Sequence, residues 1–182
     1  MSLKELTKDK HTAAEHTAFM KAVFKKTMPR SVWADYTYQK SNFYASIETV
    51  ARYEGITLDV IEVERALRLY LDVKEMTGGQ YPKLRPVTIE YSRYLLDLVG
   101  QPEKIAAHFY VWHMGDLFGG QMIKKIVPGP HRNLEFEDVE GLKTKIRAKL
   151  NDSMAEEANI AFDWAIKIME SYNDELSLAN AN

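Results

Sequence analysis

The sequence predicts a single all-α domain, a multi-helix bundle, and three features carry that prediction. Glycine and proline fall between stretches of helical period and seldom inside them. No segment alternates apolar and polar residues for long enough to make a convincing strand. The segment from Leu58 to Glu75 sets Val60, Val63, Ala66, Leu67, Tyr70 and Val73 at i, i+3, i+4 spacing, the apolar stripe of a helix facing a core.

Taken in order, the first helix is expected from about Leu3 to Lys26, stopping near Met28-Pro29. A second, from about Ser31 to Tyr53, ends at Glu54-Gly55. The striped segment from Leu58 to Glu75 is the third, and Gly78-Gly79-Gln80-Tyr81-Pro82 is the loop after it. Val87 to Leu98 forms another helix, stopped by Gly100-Gln101-Pro102. A long helix from Glu103 to about Val127 is closed by Pro128-Gly129-Pro130. Two more follow, Leu142 to Asn151 and Ser153 to Leu176. Residues 177–182 are expected to fray, which leaves 1–176 as the domain.

Composition narrows the function classes. With 46% apolar and 27% charged residues in 182, the chain is long enough for one well-buried core. A net charge of -2 argues against nonspecific nucleic-acid binding. Cysteine is absent, which excludes disulfides, thiolate metal ligands and a thiol nucleophile. The N-terminus lacks the apolar core of a signal peptide, and no run approaches the length of a membrane span. A cytoplasmic, soluble monomer is expected.

The stretch Gly115-Asp116-Leu117-Phe118-Gly119-Gly120-Gln121 places three glycines inside the long helix, each costing roughly 0.5–1 kcal/mol relative to Ala. Spacing alone favours close helix packing, because Gly115 and Gly119 are i, i+4. Asp116 shifts the balance towards a backbone laid against a flat ligand, since a carboxylate there needs water or a partner. Among the histidines at 11, 16, 108, 113 and 131, no two have the i, i+4 spacing of a zinc site. His11 shares a helix face with Thr7, Ala14 and Ala18, small residues that leave room for something wide and flat. Lys4 lies two turns upstream on that face, roughly 10 Å away. An imidazole ligand with a cation near its rim suits haem, with iron at the centre and carboxylates at the edge.

Lys10-His11-Thr12-Ala13-Ala14-Glu15, followed by Phe19-Met20, resembles the N-terminal helix of haem oxygenases, and Gly115 to Gln121 resembles that family's distal-helix signature. The resemblance extends through nearly the whole chain. It implies haem b as both substrate and cofactor, with iron held by His11 alone. It implies a helix that bends at Gly115, Gly119 and Gly120 and passes its backbone over the porphyrin, and an Asp116 that orders a distal water. Tyr44 matches a tyrosine of that water network, Glu15 falls in the proximal motif, and Phe162 matches a pocket-wall aromatic. Lys4, Lys143 and Arg147 match cations on the propionates, and Tyr110 a propionate-facing tyrosine. The implied reaction takes haem, O2 and electrons to biliverdin, the α isomer by the family's pattern, with carbon monoxide and ferrous iron. The implied electron donor is an acidic protein, a ferredoxin, meeting basic clusters such as Lys25-Lys26 and Lys124-Lys125.

Four positions depart from the family pattern. Trp112-His113-Met114 stands where Arg-Tyr-Leu is usual, and Phe118 replaces a serine. His113 is open between a substitute polar partner and a surface histidine. The alternative function on this scaffold is a haem-binding or haem-sensing protein that has lost turnover. Thiaminase-like chemistry lacks its cysteine, and the inward Glu-x-x-His pairs of a di-iron site are not found.

Overall fold

The computed structural model describes residues 2–57 and 59–180, and among these there are helices and no strands. The expected first helix is three: α1 (Leu3–Leu6), α2 (Lys8–Glu15) and α3 (Ala18–Phe24). Threonines make both breaks. Thr7 leaves helical geometry at φ -107°, ψ 2°, its hydroxyl donating to Leu3 O at 2.9 Å. Thr17 caps α3 by accepting from the Met20 N–H at 3.2 Å. The small-residue row through Thr7, His11, Ala14 and Ala18 is therefore not one continuous face, and Lys4 sits on a separate element from His11.

The long central helix α4 (Arg30–Tyr53) buries Phe43, Tyr44 and Ile47 completely. Against it lie α5 (Ala66–Thr77), α6 (Pro86–Leu96) and α7 (Pro102–Phe109). Both α6 and α7 start on proline, where no backbone donor is lost. The helix expected from Leu58 begins only at Ala66, after a 3-10 turn at Ile61–Val63, and Leu58 itself lies outside the described residues. A long-range cap sets that start. The Glu48 carboxylate on α4 accepts from the backbone N–H groups of Arg65 at 2.5 Å and Ala66 at 3.1 Å, donors that α5 cannot satisfy itself. Its buried face is Leu69, Asp72 and Val73, whereas Leu67 is 70% exposed. The helix ends at Gly78, in the left-handed region at φ 64°.

The long helix expected from Glu103 is α7, a π-helical turn at Tyr110–Met114 and α8 (Gly115–Ile123). The irregularity thus precedes the glycines rather than falling on them, as is common where a helix carries a site. A 3-10 turn at Arg132–Leu134 leads to α9 (Val139–Arg147), and α10 (Ala155–Glu170) crosses back over α2 and α7.

The C-terminal segment departs from expectation. Helix α11 (Asn173–Asn180) carries the chain past the predicted fraying point at Ser177, and 181–182 lie outside the described residues. Arg85 anchors it, donating to Glu175 at 2.6 Å and Asp35 at 2.7 Å with its guanidinium 3.7 Å from the Tyr172 ring centroid. Leu176 is buried beneath it. No helix among the described residues is long and apolar enough to cross a membrane.

Candidate functional site

One cleft takes a wall from each part of the chain. His11, Ala14 and Met20 come from α2 and α3; Tyr36, Thr37 and Lys40 from α4; Trp112, Gly115, Asp116 and Gly119 from the distal helix; Phe162 and Met169 from α10. It encloses about 1190 Å³, its open mouth included. The lining is mostly apolar with a few convergent polar groups, the composition usual in small-molecule sites.

His11 stands on the proximal wall with its side chain 57% exposed. Its ring meets Phe162 edge-on at 5.6 Å, and its Nδ1 lies 3.7 Å from Glu15 Oε2. A carboxylate on that side favours the tautomer with the proton on Nδ1, which leaves Nε2 with a lone pair for a metal. Lys10 fixes the helix by an ion pair to Asp163 at 2.5 Å.

The three glycines divide into two roles. A Cβ on Gly115 or Gly119 would meet no atom within 4 Å, and both residues line the cleft. A Cβ on Gly120 would come within 2.7 Å of Leu134 Cδ2. Gly120 is thus turned to a packing contact, away from the cofactor-facing place the resemblance implied. The i, i+4 pair that spacing assigned to packing faces open space instead. A side chain at 115 or 119 would project into the cleft, so a flat ligand can lie against bare backbone there.

Asp116 is 7% exposed and both its oxygens are held. Lys40 Nζ lies 2.6 Å from Oδ1, and the Tyr44 hydroxyl donates to Oδ2 at 2.8 Å. Burial pushes the Tyr44 pKa well above its ordinary value, and the Asp116 charge adds to the shift, so Tyr44 stays a donor. Lys40 escaped the sequence reading, although it lies one helical turn before Tyr44 and the signature lacks its arginine.

The departures resolve on packing. His113 is fully buried and not a surface residue: its Nε2 lies 3.0 Å from Glu48 Oε1, and its ring stacks on Phe109 at 4.2 Å and lies 4.4 Å from Tyr44. Trp112 turns its indole N–H from Asp116 to the Tyr91 hydroxyl at 2.8 Å. Phe118, 42% exposed, receives the Lys143 ammonium 4.4 Å and the Arg147 guanidinium 4.8 Å from its ring centroid. Both cations so gather over one ring, with Glu140 also 2.7 Å from Lys143, and neither they nor Phe118 are among the residues lining the cleft. Tyr110 is half-buried, its pKa raised by burial against a hydrogen bond with Thr7, and Lys4 is exposed on α1. Neither is in the cleft lining.

The "Heme oxygenase" family model matches residues 1–149. Heme oxygenase 2 of Mus musculus is 26% identical over 97% of this chain and 66% of its own length. Heme oxygenase 1 of Nostoc sp. is 26% identical over 93% of this chain and 84% of its own. The chain so spans about two thirds of the mouse protein it matches. A solved heme oxygenase from Leptospira interrogans superposes with a TM-score of 0.83 at 27% identity, over 94% of this chain and 100% of that one. Heme oxygenase-1 of Synechocystis in complex with heme gives 0.88 at 22% identity, over 98% and 94%, a likeness of fold. With the family model covering most of its length, the chain belongs to the haem oxygenase family.

Proposed function

We propose that the protein is a working haem oxygenase, converting haem with O2 and electrons to biliverdin, carbon monoxide and ferrous iron. The observation that carries this is the pair of bare glycines, Gly115 and Gly119, facing His11 across an apolar cleft with a buried Asp116 beside them. The donor set fits haem: one imidazole, a wall without side chains, and a cleft lysine, Lys40, whose charge is taken up by Asp116. When bound, haem supplies both the site that activates O2 and the carbon that is oxidised.

The residues of this chain do the rest. His11 holds the iron, and Glu15 keeps its Nδ1 proton in place. Lys40 and Tyr44 clamp Asp116 as a fixed acceptor that orders water in the cleft, so its protons are presented in one direction. Tyr36, Trp112 and Phe162 keep the remaining walls dry enough for these hydrogen bonds to count. Lys143 and Arg147, gathered by Phe118, would bind the propionates together with Lys4 and Tyr110, and charge-assisted hydrogen bonds of that kind would fix the orientation of the haem and so favour the α isomer. The electron donor is an acidic protein of the ferredoxin kind, drawn to Lys25-Lys26 and Lys124-Lys125. Attraction of that sort acts on association rate and weakens with salt.

The test is a haem titration followed by reductant in air. A Soret band that gives way to a biliverdin spectrum with release of carbon monoxide is expected, from ascorbate and faster from ferredoxin with its reductase. His11→Ala should abolish turnover, and added imidazole should restore part of it. A Soret band that persists under reductant and air would establish the haem-binding protein without turnover.

A further inference from the structure

Behind the cleft wall lies a buried hydrogen-bonded chain that the proposed reaction does not use. Trp112, which lines the cleft, donates its indole N–H to the Tyr91 hydroxyl at 2.8 Å. That hydroxyl lies 2.8 Å from His108 Nδ1, and His108 Nε2 lies 3.0 Å from Glu157 Oε1. Tyr94 also donates to this carboxylate oxygen. Tyr91 and His108 are fully buried.

The chemistry of the first member sets every proton in the chain. An indole nitrogen only donates, so the Tyr91 oxygen accepts from Trp112 and sends its own hydrogen to His108 Nδ1. Nδ1 is then the unprotonated nitrogen, and Nε2–H donates to Glu157. A doubly protonated imidazole would leave the Tyr91 hydrogen without an acceptor. Burial agrees, since it holds the His108 pKa below its ordinary value against the pull of Glu157. Trp164 stacks on Tyr91 at 5.1 Å, is half-buried, and carries Lys167 over its ring.

We infer that Tyr91 is a proton-coupled redox site, passing single electrons from reductant at Trp164, through Trp112, to an oxidant in the cleft. A phenol in the interior cannot lose an electron and keep its proton, because the cation would be buried without a partner. Here the O–H bond of Tyr91 breaks and an N–H bond forms at His108 Nδ1 as the electron leaves. An oxidised phenol is a far stronger acid than an imidazolium, so a weakly basic His108 still takes the proton. The products are a neutral phenoxyl and a His108 imidazolium paired with Glu157. The oxidant is the one that hydrogen peroxide generates with ferric haem, and the reductant is a small molecule of the ascorbate class. Each electron taken from it restores Tyr91 as the proton returns from Nδ1. Two such cycles, with two protons from the reductant, take one hydrogen peroxide to two waters. The residues protected are the thioethers lining the cleft, Met20, Met122 and Met169, which the same oxidant converts to sulfoxides.

The inference rests on haem occupying the cleft, and its test separates the two. The ferric haem complex is mixed with hydrogen peroxide, frozen rapidly and examined by electron paramagnetic resonance. A tyrosyl signal is expected that collapses with ring-deuterated tyrosine, is lost in Tyr91→Phe, and persists in Tyr36→Phe, which alters a tyrosine of the cleft wall itself. Mass spectrometry should show sulfoxide at the three methionines rising severalfold in Tyr91→Phe, and ascorbate suppressing it in wild type alone. Haem-free protein oxidised by flash-generated tris(bipyridine)ruthenium(III) should also yield the Tyr91 radical, formed more slowly in deuterium oxide. Failure to bind haem overturns the cleft reading and leaves the haem-free arm to decide on Tyr91. A signal that survives Tyr91→Phe, or no Tyr91 radical in either arm, overturns the redox site.

Discussion

Lys40 Nζ and Asp116 Oδ1 are 2.6 Å apart, in side chains each about one-tenth exposed, joining the central helix to the helix that carries the glycines. The pair sets the cleft-facing carboxylate before any ligand arrives, with Tyr44 on its other oxygen. Removing one partner of such a pair strands a buried charge, a change that costs about 3–5 kcal/mol. Lys40→Met should therefore lower unfolding stability in urea by about that range. Lys40→Met/Asp116→Asn should recover much of the loss, because neither charge is left alone. If the double variant is as unstable as the sum of the single ones, the pair does not act as a unit.

Gly119→Ala should move stability and ligand affinity in opposite directions. A Cβ at this helical position meets nothing within 4 Å, so the haem-free protein should gain about 0.5–1 kcal/mol from the better helix former. The same methyl would project into the cleft proposed to hold the macrocycle, so haem should bind more weakly. At Gly120 the methyl must displace Leu134, and the stability gain should shrink or reverse. Thermal unfolding of the haem-free variants and haem titration check both signs. Tighter haem binding by Gly119→Ala would remove the backbone-facing role.

Phe118 braces Lys143 and Arg147, each contact of a kind worth about 0.5–1 kcal/mol when exposed. Lys143→Ala/Arg147→Ala should release the ring to rotate and give mixed biliverdin isomers. Phe118→Ser, which loosens the cations without removing them, should give a smaller admixture. Chromatography of the pigments decides: a pure α isomer from the double variant rules out the clamp.

Acid should destabilise the fold through His108. Burial holds its folded pKa below the ordinary value of about 6.5, against Glu157. Below about 6.5 the unfolded chain therefore binds more protons than the folded one, and stability falls as pH drops. For Glu157 burial acts upwards, but hydrogen bonds from His108 and Tyr94 bring its pKa below the usual carboxylate value, so its contribution is lost at lower pH still. His131, also depressed by burial, acts with the same sign as His108, so the informative quantity is a difference. The fall in melting temperature from pH 7 to 5 should be steeper in wild type than in His108→Gln. Parallel curves would mean that His108 takes up its proton at the same pH in the folded and the unfolded chain.

The helical class, the glycine and proline stops, His11 and the Gly115–Gln121 signature were legible in the chain, because period and turn chemistry act over a few residues. The tertiary structure decided which way those residues face. Gly120 and Gly119 are neighbours, yet one meets Leu134 and the other opens on the cleft, since each step along a helix turns a side chain by about 100°. No local pattern can supply that rotation when the packing partner lies in a later turn. Lys40 and Asp116 are separated by 76 positions, and Glu48 caps a helix 17 residues on. His113 could be placed only once Glu48, Phe109 and Tyr44 were seen around it. The last helix likewise docks through a distant partner, Arg85 reaching Glu175 from 90 residues away, a contact that the terminus's own propensity does not announce.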